Sequence, residues 1–429
     1  MSTALQNLYE KYKKSGSVST DTRQITRGSV FFALKGDKYN ANQFAEEALL
    51  KGASYAVVDE ADYVKDDRVI LVDNVLESLQ QLARFHRDTL TIPVIGLTGS
   101  NGKTTSKELV SSVLAKKYKV LATRGNLNNH IGVPLTILSI DPTIEIAIVE
   151  MGANHVGEIA MLSNIANPTH GFITNIGKAH IGTFGGFENI VRGKSELYQH
   201  LINQKGVVWI NSQNPILCNM ARRFENPLLY PAKGDFYHCE LISSNPYLVV
   251  RPEVGKTIHT QLIGEYNFEN IAVALAIAKY FKVEPEKAKE AIEAYVPGNM
   301  RSQIIKRGNN TIILDAYNAN PSSMEVALKS LSRIKAKKRI AILGDMYELD
   351  GESEKEHERL GELIVENGID EGLLCGAMIK AAIQPGWPLK YFETKEELIN
   401  YLKANPISES VVLVKASRGM ALESIVDFI

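Results

Sequence analysis

Short apolar runs alternate with amphipathic stretches from one end of the chain to the other. Runs rich in Val and Ile and bounded by Gly, Asn or Asp read as buried strands; apolar positions recurring every three or four residues read as helices. By this pattern residues 3–14 form a helix, 29–34 a strand, 42–50 a helix, 55–58 and 69–72 strands, and 75–89 a helix. A second series opens with a strand at 92–97, a glycine-rich turn and a helix over 103–116. Strands at 119–122, 144–149, 171–174 and 206–210 follow, with a helix at 187–201. Residues 228–263 carry strand and turn signals without a helical period, which predicts a β excursion at a sheet edge; a long apolar helix covers 271–281. The last series has a strand at 312–315, a helix at 322–331, a strand at 339–343, and three further strand–helix pairs near Leu373, Leu389 and 411–414. Strand–helix alternation with short connections predicts an α/β fold of parallel sheets. It divides into a small α/β domain (1–88), a central parallel-sheet domain (89–298) and a Rossmann-like domain (299–429). No Gly-x-Gly-x-x-Gly follows the first strand of the last domain, so it is not read as a dinucleotide site.

The turn at Gly99-Ser100-Asn101-Gly102-Lys103-Thr104-Thr105 is the strongest chemical signal. A strand, a glycine loop and a helix in that order cradle phosphate, because loop amides converge on an anion and the helix N-terminus adds positive charge. Lys103 would reach the β/γ-phosphates and the Thr104 hydroxyl would ligate Mg²⁺. The strict Walker spacing places a glycine where Leu97 stands, so a glycine-rich turn with a chance Lys-Thr is the plainer alternative. Asn126, Asn128 and Asn129 lie in a polar loop after a strand, at the edge where open α/β sheets hold ligands. Glu150 ends an apolar strand and is placed for Mg²⁺, or else caps a helix. His180 on its own reads as a structural histidine, and the charges around Lys194 as a solvated helix face. Asp21, Thr22 and Arg23 suit a phosphate or sugar-hydroxyl contact, or equally a capped turn with a surface salt bridge. The strand exit from Lys415 to Met420 would bind an anion or be a solvated loop.

Composition narrows the partners. Of 429 residues, 45% are hydrophobic and 23% charged, with a net charge of −1, which leaves no basic stripe for nucleic acid. No apolar run is long enough to span a membrane, and residues 1–14 lack the apolar core of a secretory signal. The three cysteines, Cys218, Cys239 and Cys375, show no metal spacing. They read as buried or idle thiols in a reducing cytoplasm, and a monomer is expected.

The chain resembles the Mur ligase family, the ATP-dependent amide-forming ligases of peptidoglycan precursor synthesis, over essentially its whole length. Residues 99–104 match that family's Gly-Ser/Thr-Asn-Gly-Lys-Ser/Thr loop. The stretches 125–134, 150–155, 317–321 and 344–349 resemble the branch that joins D-alanyl-D-alanine to UDP-N-acetylmuramoyl-tripeptide; the DNPR-type motif of the diaminopimelate-adding branch is absent, with Ala319-Asn320-Pro321-Ser322 in its place. The resemblance implies Lys103, Glu150, His180, Lys194 and Arg301 as the catalytic set. It implies an ATP site of Gly99 to Thr105 with Asn267, Asn270, Arg301 and Asp315, and two Mg²⁺ ions served by Thr104, Glu150, His180 and a carbamylated Lys194. It implies Thr22 and Arg23, with Asn128 and Asn129, as substrate contacts, and outer domains that close on a loosely linked hinge. Tyr266 stands where the family has histidine, Asn42 replaces a first-domain histidine, and Ala316 replaces a serine. The rivals are a folylpolyglutamate synthase-like ligase, which lacks the first block, and a nucleotide-binding protein without catalysis.

Overall fold

The computed structural model describes residues 3–429. Three parallel sheets draw their strands from successive parts of the chain. The first has four strands in the order Val18–Ser19, Val30–Phe32, Tyr55–Val58, Val69–Leu71. The second has six, all parallel, in the order Leu228–Tyr230, Val207–Asn211, His170–Ile173, Val94–Thr98, Ile146–Glu150, Val120–Ala122. The third has six in the order Gln303–Arg307, Asn310–Leu314, Ser410–Lys415, Lys338–Gly344, Glu371–Cys375, Leu389–Phe392, and only its first edge strand runs antiparallel. Residues 228–263 are the expected β excursion: after Leu228–Tyr230 joins the sheet edge, Cys239–Ser244, Tyr247–Pro252 and Ile258–Ile263 form a separate antiparallel sheet.

The central sheet is buried on both faces, as parallel sheets must be. Along Val94–Thr98, Val94 faces one core and Ile95 and Leu97 the other, as the two-residue strand period requires. The second face packs against the helices Lys103–Leu114 and Asn267–Tyr280. Strand Val94–Thr98 lies between His170–Ile173 and Ile146–Glu150, so Thr98, Thr174 and Glu150 come together at the carboxyl ends of neighbouring strands. That edge receives the glycine loop.

The first domain is not loosely tethered. Its helix Val75–Asp88 lies on the central domain, and Arg87, only 4% exposed, donates from Nε to the Ala166 carbonyl (3.0 Å) and from a terminal nitrogen to the Asn167 carbonyl (2.9 Å). These carbonyls end the helix Glu158–Ala166, where a cation also meets the negative end of the helix dipole. Tyr12 donates to the Leu138 carbonyl at 2.6 Å, adding a second tie.

The strand–helix series of the last domain departs from expectation near its end. Only Leu389–Phe392 is followed by an α-helix, Lys395–Ala404. Glu371–Cys375 and Ser410–Lys415 run into short 3-10 turns. Trp387 and the Ala382 carbonyl press on Gly361 of the helix Ser353–Glu366, so the chain after Cys375 fills the groove against that helix without a helix of its own. The helices Gly132–Leu138, Glu158–Ala166 and Pro285–Ala294 carry no reading in the sequence pattern above.

Candidate active site

The loop between Thr98 and Lys103 is shaped by two glycines. Gly99 has φ +148°, and a Cβ there would sit 1.9 Å from Thr174 Oγ1; Gly102 has φ +76° and caps the helix Lys103–Leu114, with Asn270 Oδ1 2.6 Å from a would-be Cβ. The loop is pinned by backbone bonds: Ser100 N donates to the Asn175 carbonyl (2.9 Å) and Asn101 N to Asn175 Oδ1 (3.0 Å). Lys103 curls back to donate to the Gly99 (2.7 Å) and Ser100 (3.3 Å) carbonyls. Burial pushes its ammonium below the usual lysine range, the Glu150 carboxylate opposes that shift and the Arg301 charge deepens it.

Glu150 is 1% exposed and does not cap a helix. Its carboxylate accepts from Thr104 Oγ1 at 3.2 and 3.3 Å and from Asn128 Nδ2 at 2.8 Å, and Lys107 Nζ stands 3.4 Å away. A hydroxyl and a carboxylate side by side at a cleft floor are hard oxygen donors that fit Mg²⁺. Among the described residues, no cluster of three or more His, Cys, Asp or Glu is arranged to hold an ion. An ion at this pair would therefore draw its other ligands from water and phosphate, the usual habit of Mg²⁺.

A cleft of about 430 Å³ opens over this floor. It gathers Ser100 to Thr105, Asn128, Asn129, Glu150, His180, Asn267 and Asn270 from the central domain with Arg301 and Asp315 from the last. Asn270 donates to Asn267 Oδ1 (2.9 Å) and accepts from Ser106 Oγ (2.8 Å), and Asn267 donates to the Ile263 carbonyl (2.8 Å), so their amides are fixed before any ligand contact. The Arg301 guanidinium lies 3.6 Å from the Tyr317 ring centre, and its buried Nε has no hydrogen-bond partner among the described residues. Asp315 accepts from Lys415 Nζ (2.6 Å) and from Ser302 N (3.0 Å). Tyr266 bonds Ser302 Oγ at 2.7 Å, and Ser302 N in turn donates to Asp315 at 3.0 Å.

Several residues are placed differently from a bare reading of the sequence. Lys194 is not on a solvated face: it is 1% exposed, just behind the cleft wall, donating to the Ala153 carbonyl at 3.2 Å. Burial holds its pKa well below the usual lysine range, and the Lys103 charge lowers it further. His180 lines the cleft, but its Nδ1 stands 2.5 Å from Glu348 Oε2 of the last domain, at an angle outside hydrogen-bond geometry. Asn129 spends its side-chain oxygen on the Ile131 (3.1 Å) and Gly132 (2.9 Å) amides at the start of a helix. Arg23 and Thr22 lie outside this cleft. There the exposed Arg23 is bidentate to Asp21, which also accepts from Arg23 N (2.9 Å). Asn42 is fully buried, bonded to Asp59 at 2.8 Å and Asn40, so it builds the first domain.

The sequence reading missed Lys107, Glu348 and Asn320. Lys107 follows Lys103 by four residues and shares its helix face, a signal that was available. Glu348 and Asn320 stand in stretches that carry the resemblance, but their partners lie in another domain, so no local pattern gives them these contacts.

The family profile for the Mur ligase middle domain matches residues 97–278, and that for the Mur ligase glutamate ligase domain matches residues 300–418. The UDP-N-acetylmuramoyl-tripeptide–D-alanyl-D-alanine ligase of Bacillus subtilis is 35% identical over 424 residues, covering 95% of this chain and 92% of its own. A crystal structure of MurF from Acinetobacter baumannii superposes with a TM-score of 0.88 at 30% identity, covering 99% of this chain and 97% of that one. The structure of MurF ligase from Thermotoga maritima in complex with ADP has a TM-score of 0.85 at 27% identity, covering 100% and 98%. With the glycine loop, the paired Thr104 and Glu150 and the two-domain cleft in hand, these matches mean that the chain belongs to the Mur ligase family.

Proposed function

We propose that this chain is an ATP-dependent ligase that joins D-alanyl-D-alanine to UDP-N-acetylmuramoyl-tripeptide, working as a monomer in the cytoplasm. The observation that carries the reading is a cleft in which Lys103, Thr104 and Glu150 of one domain face Arg301 and Asp315 of another. Near-full coverage of D-alanyl-D-alanine ligases, first domain included, favours it over a folylpolyglutamate synthase-like enzyme. Residues 1–88 are assigned to the UDP-sugar, 89–298 to ATP, and 299–429 to closure and the incoming amine. To meet the pyrophosphate, Arg23 exchanges its bond to Asp21 for a phosphate oxygen, and Thr22 adds its hydroxyl.

The terminal carboxylate of the tripeptide attacks the γ-phosphorus of ATP, giving an acyl phosphate and ADP. The D-alanyl-D-alanine amine then attacks the acyl carbon; a tetrahedral intermediate collapses, phosphate leaves, and the amine gives up its proton. Lys103 exchanges its loop carbonyls for phosphate oxygens, and Arg301 brings a second positive charge from the last domain. Asn267 and Asn270 flank the base, Asp315 takes the ribose, and Asn128 and Asn129 edge the acceptor side. Mg²⁺, when bound, supplies charge neutralisation on the transferring phosphoryl; Thr104 and Glu150 would hold one ion, His180 and a Lys194 carbamate another. Burial of Lys194 lowers its pKa and so favours the neutral amine, the form that adds CO₂, and its carbamate is a carboxylate on a long arm.

Mass spectrometry of a reaction containing ATP, the tripeptide nucleotide and D-alanyl-D-alanine tests the reading. The expected product is the UDP-N-acetylmuramoyl-pentapeptide; the wrong amine acceptor would leave the tripeptide unchanged.

A further inference from the structure

Lys107 is a buried cation with no part in the phosphate cradle. Its side chain is 4% exposed, its Nζ lies 3.4 Å from Glu150 Oε2 and 3.5 Å from the Gly125 carbonyl, and it approaches Glu150 from behind the cleft. The Glu150 side chain is 2% exposed, and Thr104 and Asn128 supply its hydrogen bonds. A carboxylate this deep needs hydrogen-bond donors and an opposite charge close by. Lys103 and Arg301 also face this floor. The other cleft acids are engaged: Asp315 with Lys415, and Glu158 with the Asn154 and His155 amides. Glu150 thus sits among three cations, Lys107, Lys103 and Arg301.

We propose that Lys107 is a positioning residue that makes the divalent-metal site conditional on nucleotide. It holds Glu150 aimed, while its charge holds a free divalent cation off that carboxylate until the nucleotide phosphates bring compensating negative charge. A dication at the Thr104–Glu150 pair would lie within a few ångströms of the Lys107 ammonium, inside the range where charges in a poorly solvated site interact strongly. This rests on the assignment of Thr104 and Glu150 to the metal.

The test is metal binding by the full-length chain, measured by calorimetry with Mg²⁺ and by electron paramagnetic resonance with Mn²⁺, with and without ADP. Without nucleotide, Lys107→Met is expected to bind the metal at least about tenfold more tightly than wild type, and Lys107→Arg to behave as wild type. With ADP, wild type binds the metal and Glu150→Gln does not. A purely structural role for Lys107 would leave metal affinity unchanged or weaken it, so the rise is diagnostic. Lys107→Gln carries the same expectation if the methionine variant does not fold. If the neutral variants bind free metal no more tightly than wild type while Glu150→Gln still loses the ADP-dependent site, the role of Lys107 is overturned and the metal assignment stands. If Glu150→Gln keeps the ADP-dependent site, both are overturned.

Discussion

Asn320 donates its side-chain amide to Asn101 Oδ1 at 2.9 Å, so the phosphate loop of the central domain is bonded directly to the first turn of a helix in the last. The same Asn320 caps the helix Pro321–Arg333, accepting from Ser323 N at 2.9 Å while Ser323 Oγ accepts from Asn320 N at 3.0 Å. Lys178 strengthens the junction, with its amide on Ser322 Oγ (2.8 Å) and its ammonium on Glu356 (2.6 Å). Glu265 pairs with Arg333 across the same junction.

Asn320→Asp separates the two jobs of this residue. Aspartate is as good a cap as asparagine, so unfolding free energy should stay within about 0.5 kcal/mol of wild type. The donor to Asn101 is lost and a negative charge is set beside the loop. The expected result is a drop of about tenfold in kcat/KM for ATP, measured by steady-state kinetics alongside chemical denaturation. A parallel loss of stability and activity would instead assign Asn320 to helix capping alone.

Lys194→Ala removes a side chain that the fold buries beside the cleft. Ligase activity should fall about 100-fold or more, the scale of losing a charge-stabilising group, and added acetate or formate should restore part of it. Near-normal activity in the unrescued variant would contradict the carbamate role.

Glu269 offers a stability test that does not involve catalysis. It lies in the first turn of the helix Asn267–Tyr280, and burial raises its pKa from 4.5 to about 7, against a hydrogen bond from Asn211 that lowers it. Between those values the folded chain binds a proton that the unfolded chain has lost, so stability falls as pH rises through this window. Glu269→Gln should therefore be more stable than wild type at pH 8, by up to roughly 3 kcal/mol, and the two should converge near pH 5. Urea denaturation at both pH values reads the difference; equal stability at pH 8 would show that the carboxylate is not penalised.

The parallel-sheet architecture was legible because Val- and Ile-rich runs such as 94–97 and 146–149 can be little else between glycine turns and amphipathic helices. The glycine loop was legible because its chemistry is local: strand, turn, lysine and hydroxyl are consecutive. Lys194 shows where local reading stops. Flanked by Arg192 and Glu196, it reads as solvated, and only the packing of Ala153 and Phe184 around it reveals burial. The pairing of Lys415 with Asp315 joins strands from distant parts of the chain, so a basic loop became a buried ion pair. Arg23 is the converse: suitable chemistry for a phosphate, spent in the folded chain on its neighbour Asp21.

The most direct measurement is phosphate release from ATP, followed with each substrate omitted in turn. Release that requires both UDP-N-acetylmuramoyl-tripeptide and D-alanyl-D-alanine, in one-to-one ratio with the pentapeptide formed, is the expected result. Release independent of either substrate, or a preference for another amine acceptor, would contradict the assigned reaction.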